Sequence, residues 1–272
     1  MDLSIVIVSY NAKADLQRCL ESLRQHPPKA SHEVIVVDNA STDGSADVAA
    51  AFDGVQVIRA PRNGGFSYGN NIGIRASQGD ALLLLNSDTI VPPGALDGLL
   101  AVLARDPEVA IVGPRLVDGA SKAELSFGPM ISPFNEWRQR QLVMGLATDD
   151  PEVVRQVEAM TRREQRPDWV TGACLLVRRA DAQAVGLLDE RFFMYTEDVD
   201  FCASIRARGR AVLFTPDVEV IHLRGRSAAS APAATRERYE QSHLAFYRKH
   251  HPFWVPLLLL QRAIARYRRR RA

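Results

Sequence analysis

Three short stretches carry side chains whose types and spacing could do chemistry. The first is Asn86-Ser87-Asp88, which follows the four leucines Leu82 to Leu85. A carboxylate released at the carboxyl end of a buried strand lies where α/β sheets bind ligands. There Asp88 can hold a Mg2+ or Mn2+, which neutralises the charge on a departing diphosphate. The second stretch is Tyr195-Thr196-Glu197-Asp198-Val199-Asp200, with Phe192-Phe193-Met194 just before it. Acids suit the first turn of a helix; equally, a carboxylate there can deprotonate an acceptor hydroxyl. The third is His222, closing the strand-like Val218-Glu219-Val220-Ile221 ahead of Leu223-Arg224-Gly225-Arg226. At a strand end it is a candidate metal ligand. Arg224 and Arg226 suit a phosphate or open solvent alike.

These residues need elements to position them. Residues 3–8, 32–37, 55–58, 81–85 and 109–112 read as strands, and 12–25, 45–52, 67–77 and 93–105 as helices. Regular alternation of this kind predicts parallel βαβ units and a doubly wound sheet. Ser9-Tyr10-Asn11, Asp38 and Asp88 then fall at one edge of that sheet. Asp38 fits a ribose- or base-reading carboxylate, and it fits a helix cap as well. The Gly- and Asn-rich residues 63–73 could cradle a phosphate or ribose, or simply turn into the next helix. The turn Ser9-Tyr10-Asn11-Ala12 has no glycine, so a dinucleotide fingerprint is missing where NAD would need it.

After Val117 the rhythm breaks. Residues 118–167 carry two helix-like stretches, 134–146 and 151–163, and read as an insertion or lid. Strands at 169–177, 211–215 and 218–222 and helices at 179–185 and 198–208 then resume the pattern. With 46% hydrophobic and 24% charged residues, the chain is expected to be soluble and folded. A net charge of only +2 gives no case for nucleic acid. Cys19, Cys174 and Cys202 are far apart and odd in number, which predicts buried reduced thiols in a cytoplasmic protein. Neither a signal peptide nor a spanning apolar run is read.

Six motifs in order resemble the inverting GT-A glycosyltransferases of family 2, and most closely their rhamnosyltransferase-like branch. They are residues 5–11 (Ile-Val-Ile-Val-Ser-Tyr-Asn), 37–45 (Val-Asp-Asn-Ala-Ser-Thr-Asp-Gly-Ser), 63–73, 84–88 (Leu-Leu-Asn-Ser-Asp), 172–173 (Gly-Ala) and 196–198 (Thr-Glu-Asp). The resemblance covers about Leu3 to Ser227. It implies a GT-A fold, a Rossmann-like, mostly parallel sheet with helices on both faces. It implies Asp198 as catalytic base, with Glu197 orienting acceptor or base. Asp88 becomes the last, metal-binding position of a DxD-type motif, and His222 a further ligand to Mg2+ or Mn2+. Tyr10 and Asp38 bind the base of the nucleotide and Asn70 joins the donor pocket. The donor-binding set expected on this reading is Ser9, Tyr10, Asn11, Asp38, Asn63, Gly65, Asn70, Asn86, Ser87 and Arg224. One departure is that the first DxD position is Asn86, which removes a charge from the metal site.

The expected activity is inverting, metal-dependent transfer of a sugar from a nucleotide diphosphate to a glycan or polyprenyl-linked acceptor in cell-envelope polysaccharide synthesis. The donor expected is dTDP-L-rhamnose. The alternatives are a UDP-hexose donor, or a non-catalytic nucleotide-binding subunit of an envelope-assembly complex. Residues 1–228 form the expected catalytic domain, with 118–167 on the acceptor side, and 229–272 a helical extension. From Leu257 a helix puts Leu257, Leu260, Ile264 and Tyr267 on one face and Arg262, Arg266 and Arg269 on another. That pattern predicts peripheral docking to the inner leaflet of the plasma membrane.

Overall fold

A computed structural model describes the chain over residues 1–223 and 232–271, with side chains described through 223 and again over 237–264. Among the described residues eight strands form one sheet, in the order β3-β2-β1-β4-β9-β6-β10-β5. They are β1 (Leu3–Ser9), β2 (His32–Asp38), β3 (Val55–Arg59), β4 (Ala81–Asn86), β5 (Thr89–Ile90), β6 (Val109–Val117), β9 (Cys174–Arg178) and β10 (Ala211–His222). A short ribbon, β7 (Phe127–Gly128) with β8 (Trp169–Val170), stands beside it.

The leucine run explains the middle of the sheet. Leu83 and Leu85 enter one core cluster with Leu16, Leu20 and Leu23 of α1 (Lys13–Gln25). Leu82 and Leu84 enter the cluster on the other face, with Ile74 of α3 (Phe66–Ala76) and Phe201, Cys202 and Ile205 of α8 (Glu197–Arg206). A strand covered on both faces has no polar side to show, hence the unbroken apolar run. Each leucine so buried contributes about 1.5–3 kcal/mol.

The sheet is mostly parallel. Strands β1–β2, β1–β4, β2–β3 and β6–β10 pair parallel, but β9 runs antiparallel between β4 and β6. The predicted single strand over 169–177 is in fact two, β8 and β9. Thr171-Gly172-Ala173 breaks them apart, and this places the start of β9 at the carboxyl end of β4. Residues 211–222, expected as two strands, form one, with a bulge between Thr215 and Glu219. The first helix after Pro93 begins later than expected: α4 spans Ala95–Arg105, behind Gly94 at φ +74°.

The insertion supplies α5 (Pro133–Ala147) and α6 (Pro151–Thr161). Helices α2 (Ser45–Ala50) and α7 (Arg179–Ala184) complete the layers over the sheet. Among the described residues two further helices follow β10, α9 (Pro232–His250) and α10 (Val255–Arg271), joined by a 3-10 turn at Pro252–Trp254. Helix α9 is gripped at polar points. Lys249 and His250 meet Asp200 of α8 at 2.8 and 2.6 Å, while His243 and Tyr247 both hold Glu136 of α5. All three cysteines are buried and unbridged. Among the described residues no helix is long and apolar enough to cross a membrane.

Candidate active site

The ends of β1, β2 and β4 meet in register: Ser9 lies opposite Asp38, and Val8 opposite Asn86. This edge holds buried polar atoms with no partner among the described residues, namely Ser9 Oγ, Asp38 Oδ1 and Ser67 Oγ. Leaving such an atom unpaired costs about 1–3 kcal/mol. Three of them along one cleft edge mark a place prepared for a polar ligand. The other oxygen of Asp38 accepts the Ser41 N–H at 3.2 Å, and the Tyr10 ring is 47% exposed beside them.

Other expected donor residues build the wall. Asn11, at φ +48°, accepts the Thr42 N–H at 2.8 Å through its side chain and so ties β1 to the loop after β2. Asn63 accepts from the Gly65 N–H and from the Asn39 amide, both at 3.1 Å. Asn70 is buried and donates to the Phe66 carbonyl within its own helix. Gly65 adopts φ +90°, and the Phe66 N–H donates to the Phe193 carbonyl at 2.8 Å. That bond brings the glycine loop against the segment leading into Glu197. Two asparagines that sequence reasoning did not single out do much of this joining. Asn39 donates to Gly65 O, and Asn71 reaches across to Leu188 N, Leu188 O and Glu190. Both sit in Asn-rich motifs, where one member cannot be told from its neighbours. Arg224 and Arg226 lie outside the described residues.

The second part of the cleft follows β4. Asn86-Ser87-Asp88 turns into the two-residue β5, where Thr89 lies opposite His222 at the end of β10. His222 Nε2 therefore stands 3.3 Å from Asp88 Oδ1. Its other ring nitrogen meets Glu124 Oε2 at 3.0 Å. Burial alone would push His222 down, but hydrogen bonds to Asp88 and Glu124 and their charges outweigh it and lift it to about 9. A carboxylate oxygen beside an imidazole nitrogen whose other nitrogen is held by a carboxylate is a donor set that suits a divalent cation. Among the described residues no three such side chains form a closed cage. An ion here would complete its shell with phosphate and water oxygens, as Mg2+ commonly does.

The third part is the acid pair. Tyr195 and Thr196 both adopt left-handed φ, +69° and +66°, and then α8 begins. Strain of this kind persists where surrounding contacts fix it. Glu197 is buried, and Asp198 partly so. Asp198 accepts the Gly172 N–H at 2.9 Å and the Val199 N–H at 2.8 Å. The break between β8 and β9 thus has a use: it turns the Gly172 N–H toward the carboxylate. The next residue, Ala173, accepts the Asn86 N–H at 2.9 Å, so the acid pair and the Asp88 turn share one backbone link. Burial raises both carboxyls, and the charge of Asp198 raises Glu197 further. The pair should titrate as a unit above the ordinary carboxylate range. If Asp198 acts ionised, kcat/KM falls as pH drops through that raised value. Glu197 titrates above Asp198 and is still protonated where Asp198 ionises, so Glu197→Gln should leave the acid limb in place, which a kcat/KM profile against pH would register.

The model of the family described as "Glycosyl transferase family 2" matches residues 4–163, more than half of the chain. This chain belongs to glycosyl transferase family 2. Among curated proteins, it is 28% identical over 266 residues to the N-acetylglucosaminyl-diphospho-decaprenol L-rhamnosyltransferase of Mycobacterium tuberculosis, covering 93% of this chain and 86% of that protein. It is 26% identical to the low-salt glycan biosynthesis hexosyltransferase Agl10 of Haloferax volcanii, over 81% of this chain and 67% of the other. Its fold matches the mannosyltransferase PcManGT of Pyrobaculum calidifontis, solved with GDP-Man and Mn2+, at TM-score 0.62 and 18% identity, covering 95% of this chain and 68% of that one. It also matches S. aureus TarS 1-349 in complex with UDP at TM-score 0.58 and 17% identity, over 81% and 60% of the two chains. The fold is GT-A, as the strand order and these neighbours agree. The chain is therefore a family 2 glycosyltransferase.

Proposed function

We propose that this chain transfers L-rhamnose, with inversion, from dTDP-L-rhamnose to a lipid-linked glycan in cell-envelope polysaccharide synthesis. The observation that carries the reading is the convergence at the carboxyl ends of the central strands of three things: polar atoms at Ser9, Asp38 and Ser67 with no partner among the described residues, the Asp88–His222 pair, and a partly buried Asp198 linked to the Asp88 turn through Gly172 and Ala173. The rhamnosyl donor and lipid-linked acceptor are suggested by the M. tuberculosis relative, named for rhamnosyl transfer to a decaprenol-linked sugar.

On this reading Tyr10 and Asp38 take the nucleotide base, and Asn63, Gly65 and Asn70 shape the donor pocket around it. Asp88 and His222 hold Mg2+ or Mn2+. When bound, the metal supplies positive charge against the departing diphosphate. Asp198 accepts the proton of the acceptor hydroxyl, whose oxygen then attacks the anomeric carbon from the face opposite the diphosphate. Glu197, buried beside it in the first turn of α8, orients the acceptor or the base. The N–H groups of Gly172 and Val199 fix the orientation of the carboxylate. A single displacement needs no covalent sugar–enzyme intermediate. Residues 1–228 form the catalytic domain, with 118–167 facing the acceptor.

The tail bears on where the acceptor is met. Helix α10 packs inward through Val255 and Leu258, while Phe253, 96% exposed, and Trp254, Leu257, Leu260 and Ile264 face outward. Arg262 does not join an outer basic face as expected. It turns inward to the Glu240 carbonyl at 2.8 Å and to His243 at 2.9 Å. The side chains of Arg266, Tyr267 and Arg269 lie outside the described residues. An apolar face on an arginine-rich helix suits the surface of an anionic membrane. In flotation with phosphatidylglycerol–phosphatidylcholine vesicles, the chain should rise with the lipid. Leu257→Glu with Leu260→Glu should leave it behind; equal flotation of both would end the membrane reading.

The donor is tested by a thermal-shift panel of dTDP-L-rhamnose, UDP-glucose and GDP-mannose, each with Mg2+ or Mn2+. A ligand at a hundredfold excess over its Kd stabilises by about 2.7 kcal/mol. The largest shift should come from dTDP-L-rhamnose. A larger shift with UDP-glucose would replace the donor, and binding without any transfer would favour a nucleotide-binding subunit.

A further inference from the structure

We propose that Glu124 is the positioning residue that presents His222 to the metal. The inference rests on the reading above, in which Asp88 and His222 hold that ion. Glu124 lies in the insertion, far in sequence from every motif, and its approach is built by the backbone. The Asp118 side chain accepts the N–H groups of Ala120 and Lys122 at 2.8 and 2.9 Å, reversing the chain after β6. Ala123 then bridges back to Val117, and the Glu124 N–H donates to Leu116 O at 2.9 Å. On the other side of β6, Leu116 and Val117 pair with Val220 and Ile221, which lead directly to His222. The end of β6 thus carries Glu124 along one edge and His222 along the other.

The consequence is chemical. Glu124 is only 4% exposed and meets His222 Nδ1 at 3.0 Å. A carboxylate on Nδ1 holds a proton there, so a cation that displaces the proton between Nε2 and Asp88 would meet the Nε2 lone pair. Glu124 cannot itself share an ion with Asp88, because it sits on the opposite ring nitrogen. What it does is orient the imidazole and make it a stronger donor. That matters here because Asn86 stands where a carboxylate would otherwise add charge. The same segment also steadies the acid pair: Ser126 O accepts the Thr171 N–H at 2.8 Å, next to the Gly172 that holds Asp198. Part of the insertion therefore braces the site.

The test is Mn2+ binding to the full chain, followed by electron paramagnetic resonance with Mn2+ alone and with Mn2+ plus dTDP. The wild type should bind and show nitrogen hyperfine coupling from one imidazole. Glu124→Leu should weaken binding about 10–100-fold and diminish that coupling. Glu124→Gln, whose amide oxygen still accepts the Nδ1 proton, should weaken it less. Unfolding temperatures without metal show whether each variant folds; if the Leu variant does not, the Gln variant decides. Wild-type affinity and coupling in the deciding variant would overturn the role of Glu124 while Asp88→Asn and His222→Ala still abolish binding. If those two variants bind Mn2+ as the wild type does, the metal reading itself fails, and the role of Glu124 with it.

Discussion

Asp198→Asn should slow sugar transfer by about 10²–10⁴-fold, the usual worth of a positioned general base, and leave donor binding intact. Asparagine keeps the size of the side chain, and its oxygen can still accept from the Gly172 or Val199 N–H. What it loses is the capacity to take a proton. The defect should therefore fall on kcat, with the thermal shift by donor and metal unchanged. Steady-state kinetics beside a donor titration separates the two. Transfer at the wild-type rate would remove Asp198 from the reaction. Loss of donor binding would mean that the carboxylate serves the nucleotide instead.

Gly65→Ala should be the most damaging single methyl group in the cleft. Residue 65 sits at φ +90° with ψ −176°, a region that only glycine adopts freely. An alanine Cβ there would lie 2.1 Å from the Phe193 carbonyl oxygen, and a backbone atom cannot swing aside as a side chain can. Backbone strain of about 1–3 kcal/mol adds to a forced separation of similar size. Relief means moving the 192–196 segment away, and with it Glu197 and Asp198. The expected result is a loss of about 2–6 kcal/mol in urea unfolding and a fall in transfer larger than the stability loss explains. By contrast, a Cβ at Gly172 would meet the tip of the Phe66 ring at 3.1 Å, which can shift, so Gly172→Ala should be far milder.

How much of this could be read beforehand follows from which interactions are local. The leucine run gave away β4 because burial on both faces removes alternation, and the polar strand ends fell where a parallel sheet puts them. His222 was visible only as a residue at a strand end. Its meeting with Asp88 depends on β5, a strand of two residues with no signal of its own. The antiparallel β9 was missed for a related reason. Three residues, Thr171 to Ala173, split one apolar run, and nothing in their composition says which way the chain then turns. Glu124 and Asn71 act across 98 and 117 residues of sequence, so no spacing rule points to them. In the tail, the outward apolar residues followed helical period, whereas Arg262 found His243 and the carbonyl of Glu240 on the neighbouring helix, contacts that period cannot foresee.

The central claim is a direct displacement, driven by Asp198, in a cleft that holds a nucleoside diphosphate sugar. The measurement that meets it most directly is the anomeric configuration of the newly made glycoside, read from its one-bond C1–H1 coupling by NMR. Transfer should begin with the donor that gives the largest thermal shift. Inversion relative to that donor, lost together with activity in Asp198→Asn, is the predicted result. Retention of configuration would contradict a single displacement and the role given to Asp198.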